Sequence, residues 1–197
     1  YNTIDFLVKF KKDQYNKVVI HNNYNDGLNL TNNNFNQYIT LILQVGFDEK
    51  MHGYINPFNM IIEDTKIHNS DDYKNNYKPM QFYPTNPSDE NAGLCNIHGI
   101  YDKSGSFKIY TLENEEIEDN TIVEFKYDNT KNGLFRWIPL KVRYDKTSEL
   151  KSGIKNFGNA YHVANGTWHS IHYPISEEVI KTGNNILIDN NDDDVYY

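Results

Sequence analysis

The feature that most limits what this chain can become is a hairpin pattern spanning residues 122–144. Residues 122–127 (Ile-Val-Glu-Phe-Lys-Tyr) and 135–144 (Phe-Arg-Trp-Ile-Pro-Leu-Lys-Val-Arg-Tyr) are rich in β-branched and aromatic side chains. Between them runs Asp128-Asn-Thr-Lys-Asn-Gly133, a six-residue turn ending in glycine. Such residues suit a pleated, half-buried surface, and the polar run between them suits a turn. The N-terminal segment has the same texture: Ile4, Phe6, Val8 and Phe10 alternate with Asp5, Leu7 and Lys9, the period of a strand with one buried face.

Further strands are expected at residues 39–47, 80–83, 93–97 and 107–112, with 18–20 as a hairpin partner for the N-terminal strand over 4–10. Turns fall at Pro84-Thr-Asn-Pro87 and Asp102-Lys-Ser-Gly105. No helical periodicity precedes about residue 150. Short, irregularly spaced strands without helices predict a mainly β fold, a closed antiparallel barrel of the OB type with insertions and a short C-terminal helical connector. The expected division is a barrel over 1–150 and a connector over 151–197. Residues 21–36, dominated by Asn, read as a turn-rich loop, and 48–78 read as an insertion or long surface loop. In the connector, Pro174-Ile175 leads into a short helix with Ser176 as N-cap, Glu177 and Glu178 in its first turn, and Lys181 and Gly183 near its end. Asp189 to Asp194 reads as an acidic loop.

Composition narrows the function. The 197 residues include 28 aromatic rings, from 16 Tyr, 10 Phe and 2 Trp, enough for a packed core. No apolar run approaches the roughly 20 residues of a membrane span. A lone cysteine, Cys95, permits no internal disulfide and suits a reducing, intracellular setting, where it reads as a small buried apolar residue. The formal charge of −8 excludes a surface that coats nucleic acid along its whole length. Charge is segregated, however: residues 112–128 carry seven acids against Lys126, whereas 131–155 carry seven bases against Asp145 and Glu149. Both arginines, Arg136 and Arg143, fall in the basic stretch, although Lys outnumbers Arg 17 to 2.

The common catalytic constellations are missing: there is no GxGxxG, no phosphate loop, no Gly-x-Ser-x-Gly and no His-Glu-x-x-His. Lys50-Met-His-Gly53 and Tyr24-Asn-Asp-Gly27 each fail one essential position of the Lys-x-Asp-Gly that activates a nucleophilic lysine. His169 and His172 have a helical metal-ligand spacing, but nothing completes a set, so no metal site is expected and the segment reads as a packed connector. More informative is Trp137-Ile-Pro-Leu-Lys-Val-Arg-Tyr-Asp-Lys146. Continued strand alternation sends Ile138, Leu140 and Val142 to one face and Lys141, Arg143 and Asp145 to the other, with Lys146 at the strand end. Cations converging there suit a polyanion, with Arg143 as a two-pronged donor and Lys146 as a point charge.

These residues resemble a known family. The segments beginning at Ile122 and Phe135 are similar to the paired motifs that close the guanylyltransferase region of mRNA capping enzymes, the second corresponding to their Arg-x-Asp-Lys motif. Asn2-Thr-Ile-Asp-Phe6 resembles the residues after their Lys-Trp-Lys-Pro motif. Phe157-Gly-Asn-Ala160, Trp168-His-Ser-Ile-His-Tyr-Pro-Ile-Ser176 and Thr182-Gly183 resemble the connector to the cap methyltransferase in the multifunctional capping enzymes of large cytoplasmic DNA viruses, the mimivirus type especially.

The resemblance implies an OB domain that closes over GTP, with Arg143 and Lys146 on the β- and γ-phosphates and Asp145 holding that geometry. Lys141 and Glu124 are expected as support. It implies an upstream nucleotidyltransferase domain that supplies the lysine and binds Mg or Mn, and a downstream methyltransferase. The 5′ end of mRNA would be the acceptor, and host cytoplasm or virion the location. No catalytic residue is expected in this chain, which alone should not cap RNA. Two other readings stand beside this one: an OB barrel that binds single-stranded RNA on its rings, and a scaffold that docks the methyltransferase through its connector.

Overall fold

The computed structural model describes residues 2–22, 37–48 and 76–174. The expected loop over 21–36 and the insertion over 48–78 lie almost wholly outside the described residues. So do the helix capped by Ser176 and the acidic stretch from Asp189.

Eight strands are present among the described residues: β1 (Thr3–Phe10), β2 (Ile20–Asn22), β3 (Gln37–Phe47), β4 (Lys78–Gln81), β5 (Leu94–Tyr101), β6 (Phe107–Ile109), β7 (Ile122–Tyr127) and β8 (Trp137–Val142). Two helices follow, α1 (Tyr144–Lys151) and α2 (Tyr161–His172), and a 3₁₀ turn at Gly133–Arg136 precedes β8. None of the described helices is long and apolar enough to cross a membrane.

All the ladders are antiparallel, in the order β6-β5-β3-β1-β7-β8, with β2 and β4 also on β3. The Leu112 and Glu113 N–H groups donate to the Pro139 and Leu140 carbonyls at 2.9 and 3.2 Å, bringing the two ends of that order together. With β1, β3, β5 with β6, β7 and β8 as strands one to five, the sheet runs one-two-three-five-four and returns to one. This is an OB-type mainly β fold, as the strand pattern predicts.

Period-two alternation explains the core. Ile4, Phe6 and Val8 of β1, Leu41, Leu43 and Val45 of β3, and Val123 and Phe125 of β7 all point inward and are fully buried. The Phe6 ring meets Phe82, Phe125 and Trp137 at centroid distances of 5.4, 5.8 and 5.0 Å. Each such pair contributes about 0.5–1.5 kcal/mol beyond its burial. Cys95 is buried with its Sγ 3.3 Å from the Trp137 carbonyl oxygen, and burial pushes its thiol pKa up.

Three local expectations need correction. Residue Val18 forms only an isolated bridge to Lys12, and β2 gives its ladder to β3 through Ile20↔Ile39. Strand β8 starts at Trp137, because residues 133–136 take a 3₁₀ turn. In β8 the alternation breaks at Leu140: Glu124 pairs with Lys141 and Phe125 with Pro139, leaving Leu140 as an extra residue. The buried side chains are therefore Trp137, Pro139 and Val142, and Ile138 and Leu140 are only half-buried.

Residues 157–160 and α2 pack against the barrel. Trp168 is fully buried, 4.9 Å from Tyr127 and 6.1 Å from Phe82 between ring centroids, and its Nε1 donates to the Pro87 carbonyl at 2.9 Å. The 157–160 segment lies where β1 and β3 part. Gly158 bridges Phe6, and Gly46 donates to the Asn159 carbonyl at 3.0 Å.

Candidate functional site

At one end of the barrel the chain turns sharply out of β8. The Arg143 N–H donates to the Ile122 carbonyl at 2.8 Å, which ends the ladder, and the chain enters α1 one residue later. The Thr147 N–H then donates to the Arg143 carbonyl at 2.9 Å, while its buried hydroxyl accepts the Ile122 N–H at 2.9 Å. Arg143 is thus the N-cap of α1, and Asp145 and Lys146 lie in its first turn rather than on a strand face. Asp145 near the N-terminus and Lys151 in the last turn both complement the helix dipole.

This turn brings the expected residues together around a carboxylate that the motif reading did not single out. Asp5, on β1, is 6% exposed. Its Oδ2 accepts from Arg143 Nη1 in a very short contact and from Lys146 Nζ at 2.7 Å. Asp145 grips the other edge of the same guanidinium, with Nη2 to Oδ2 at 2.8 Å and Nε to Oδ1 at 3.2 Å. The Asp145 hydrogen bond, opposed by partial burial and helped by the charge of Asp5, raises the Arg143 pKa. The Asp145 carboxyl drops to about 2, chiefly through the Arg143 hydrogen bond and then the Lys146 backbone N–H. Lys141 and Glu124 face each other across β8 and β7 at 3.4 Å, a half-buried pair at the surface worth about 0–1 kcal/mol.

The backbone at Asp5 is clamped as well. Its N–H donates to Asn159 Oδ1 at 2.7 Å, and its carbonyl accepts the Asn159 N–H at 2.8 Å. Asp5 was legible as a hint: an acid inside the run Ile4-Asp5-Phe6-Leu7-Val8 must face a cation if it is buried. What the sequence did not indicate was which cation, since Arg143 is 138 residues away.

Chemically, the cluster is two cations fixed on one buried acid at the mouth of the barrel. Lys146 spends one of its three ammonium donors on Asp5, so donors remain for an anion. His172 contributes nothing there: its Nδ1 lies 2.9 Å from the Trp168 carbonyl and its ring packs on Trp168 and Tyr127. Among the described residues no group of three or more His, Cys, Asp or Glu could hold a metal ion.

The chain is similar to known proteins. Over 93 residues the chain is 36% identical to the probable mRNA-capping enzyme of Acanthamoeba polyphaga mimivirus. That stretch covers 46% of this chain and 8% of the relative, so the chain spans a small part of that protein. No solved structure gives a significant match. The profile of the mRNA capping enzyme C-terminal domain matches residues 56–181, well over half of the sequence, and the chain belongs to that family.

Proposed function

We propose that this chain is the OB-type lid of an RNA guanylyltransferase, closing on GTP and orienting its β- and γ-phosphates while GMP is transferred. The observation that carries this reading is the pair Arg143 and Lys146 held on the single buried carboxylate of Asp5. In the reaction a lysine amine bonds to the α-phosphorus, the bond to the β-phosphate bridging oxygen breaks, and pyrophosphate leaves with the electron pair. Negative charge grows on the leaving group. Cations already in place stabilise that charge without reorganising, the kind of contribution worth several kcal/mol in phosphoryl and acyl transfer.

Each residue has a distinct part. Asp5 positions both cations on the same side. Asp145, itself 63% exposed, keeps the Nε and Nη2 edge of Arg143 in one orientation. The Lys141–Glu124 pair flanks the cluster as support. Because the 197 residues contain no Lys-x-Asp-Gly, the nucleophile belongs to an upstream nucleotidyltransferase domain. That domain would also hold Mg or Mn, which neutralises phosphate charge when bound. GMP would pass from its lysine to the 5′ end of mRNA, and a methyltransferase domain would follow in the same polypeptide. A viral protein of this type works in host cytoplasm or is carried in the virion.

The test is incubation of the isolated chain with labelled GTP and magnesium, followed by denaturing electrophoresis. The expected result is no covalent GMP adduct. A stable lysyl–GMP adduct on this chain would overturn the lid assignment, because the nucleophile would then lie within it.

A further inference from the structure

We propose that Asn132 is a site of covalent self-modification, deamidating without an enzyme to aspartate and isoaspartate, and that the fold confines this chemistry to one of two candidate positions. The sequence holds two Asn-Gly pairs, Asn132-Gly133 and Asn165-Gly166. Every other asparagine precedes a residue with a Cβ, which crowds the backbone nitrogen that must attack. The reaction needs a side-chain carbonyl free to turn, a following N–H not committed to a hydrogen bond, and water.

Asn132 meets all three conditions. It is exposed in the connection between β7 and β8, with extended backbone at φ −91° and ψ 146°. Its side chain makes no capping hydrogen bond to the 3₁₀ turn that it precedes. The Gly133 N–H is the first of that turn, so no carbonyl within the turn accepts from it. Gly133 is itself exposed at φ +56°, and a Cβ built there would meet nothing within 4 Å. This open space lets the backbone rotate until the nitrogen faces the side-chain carbon, which glycine allows at little steric cost. Arg136 reaches back to the turn, its Nε donating to the Lys131 carbonyl at 3.4 Å, and with exposed Lys131 it favours the negative charge that builds on the attacking nitrogen.

Asn165 meets none of them. It is 2% exposed, inside α2. Its Oδ1 accepts the Thr85 N–H at 3.0 Å, and its Nδ2 donates to Thr85 Oγ1 at 2.9 Å. Gly166 follows in mid-helix, where each N–H donates to the carbonyl four residues earlier. Ring closure there needs the helix and the Thr85 contacts to open, so its rate is scaled down by the population of that opened state.

At Asn132 the Gly133 nitrogen gives its proton to water or hydroxide and bonds to Cγ. The Cγ–Nδ2 bond then breaks, and ammonia leaves with that electron pair and a proton. Water opens the resulting succinimide at either carbonyl. Addition at one yields aspartate, and addition at the other routes the main chain through the side chain as isoaspartate. Both products carry a carboxylate, ionised at neutral pH, in place of a neutral amide. The turn therefore gains a negative charge beside Lys131 and Arg136, and nothing in this step depends on the lid reading.

Peptide mapping by mass spectrometry tests it, on the 197-residue chain held for several weeks at pH 8 and 37 °C. Isoaspartate is counted by enzymatic methyl transfer from labelled S-adenosylmethionine to each peptide. The expected result is conversion at residue 132 about tenfold or more faster than at 165, with isoaspartate in the 132 peptide. In urea, which removes protection by the fold, the two pairs should react at similar rates. Asn132→Gln, whose ring closure needs a longer loop, should leave that peptide unconverted. Equal rates at the two positions in the folded chain overturn the proposal, as does an Asn165 that stays equally protected in urea. Aspartate at 132 without isoaspartate would mean direct hydrolysis rather than attack by Gly133, and overturns it too.

Discussion

Asp5 and Asn159 exchange two hydrogen bonds across 154 residues of sequence: the Asp5 N–H donates to the Asn159 side-chain oxygen, and the Asn159 N–H donates to the Asp5 carbonyl. The clamp depends on Gly158 between them. Its φ is +85°, and a Cβ placed on it would lie 2.2 Å from the Asp5 carbonyl oxygen. Strand β1 can approach this segment only because position 158 has no side chain.

Gly158→Ala should therefore be costly out of proportion to the one methyl it adds. The left-handed backbone costs about 1–2 kcal/mol and the forced backbone shift about 1–3 more. Urea unfolding should show a lower midpoint with an unchanged slope. A midpoint equal to that of the unaltered chain would show that the clamp contributes nothing to stability.

In a protein that also carries the nucleotidyltransferase domain, Arg143→Ala and Lys146→Ala should each slow enzyme–GMP formation about 100- to 1000-fold. Both also take a partner from buried Asp5, so melting temperature is measured alongside the labelled adduct. Arg143→Lys separates the effects: it leaves a charge for Asp5 but loses the fork, so stability should stay nearer normal than the rate. Normal adduct formation by both alanine variants would rule out phosphate contact by this cluster.

Acid should weaken the Asp145 contact in a defined window. Its folded pKa, about 2, lies below the ordinary value of 3.8, so its stabilisation is present above about pH 4 and is lost as pH falls towards 2. Because the carboxylate is largely exposed, the effect is at most about 1 kcal/mol. Melting curves of the unaltered chain and Asp145→Asn should differ at pH 5 and converge near pH 2. A difference that persists unchanged at pH 2 would exclude this titration as its source.

Trp168→Ala should destabilise the whole barrel by about 3–5 kcal/mol, since a fully buried indole is removed from a cluster that includes Tyr127, Phe82 and Trp137. Loss should be cooperative, with near-UV and far-UV circular dichroism melting together. A variant that loses only α2 and keeps an intact barrel transition would contradict the shared core.

What the sequence made legible was whatever depends on near neighbours. Residues 122–127 were bounded correctly because every second side chain there is apolar and Asp128 begins a turn. The alternation of Ile4, Phe6 and Val8 likewise revealed the inward face of β1. Arg143, Asp145 and Lys146 were identified by type and spacing, yet placed on a strand. The bulge at Leu140 breaks the period, and the next residues make a short polar helix whose main anchors, the Ile122 carbonyl and N–H, lie more than twenty residues away. Asp5 escaped because its role appears only once β7 has paired with β1 on one side and β8 on the other, bringing Arg143 and Lys146 over from the end of β8. Helix α2 was not foreseen as a helix, its segment reading only as a packed connector, because Asn165 and Gly166 interrupt its apolar stripe.

The slot between β1 and β3 also orders events during synthesis. Residues 157–160 fill it from the far end of the described chain, so a nascent polypeptide leaving the ribosome displays β1 first and covers the Asp5 end of its edge last. Until the chain has been made through Asn159, the Asp5 carbonyl and the Gly46 N–H lack their Asn159 partners, and an unpaired strand edge is an invitation to another chain. Closure of this strand edge therefore waits on residues 157–160, and a protein truncated before Phe157 is the species a chaperone would be expected to hold.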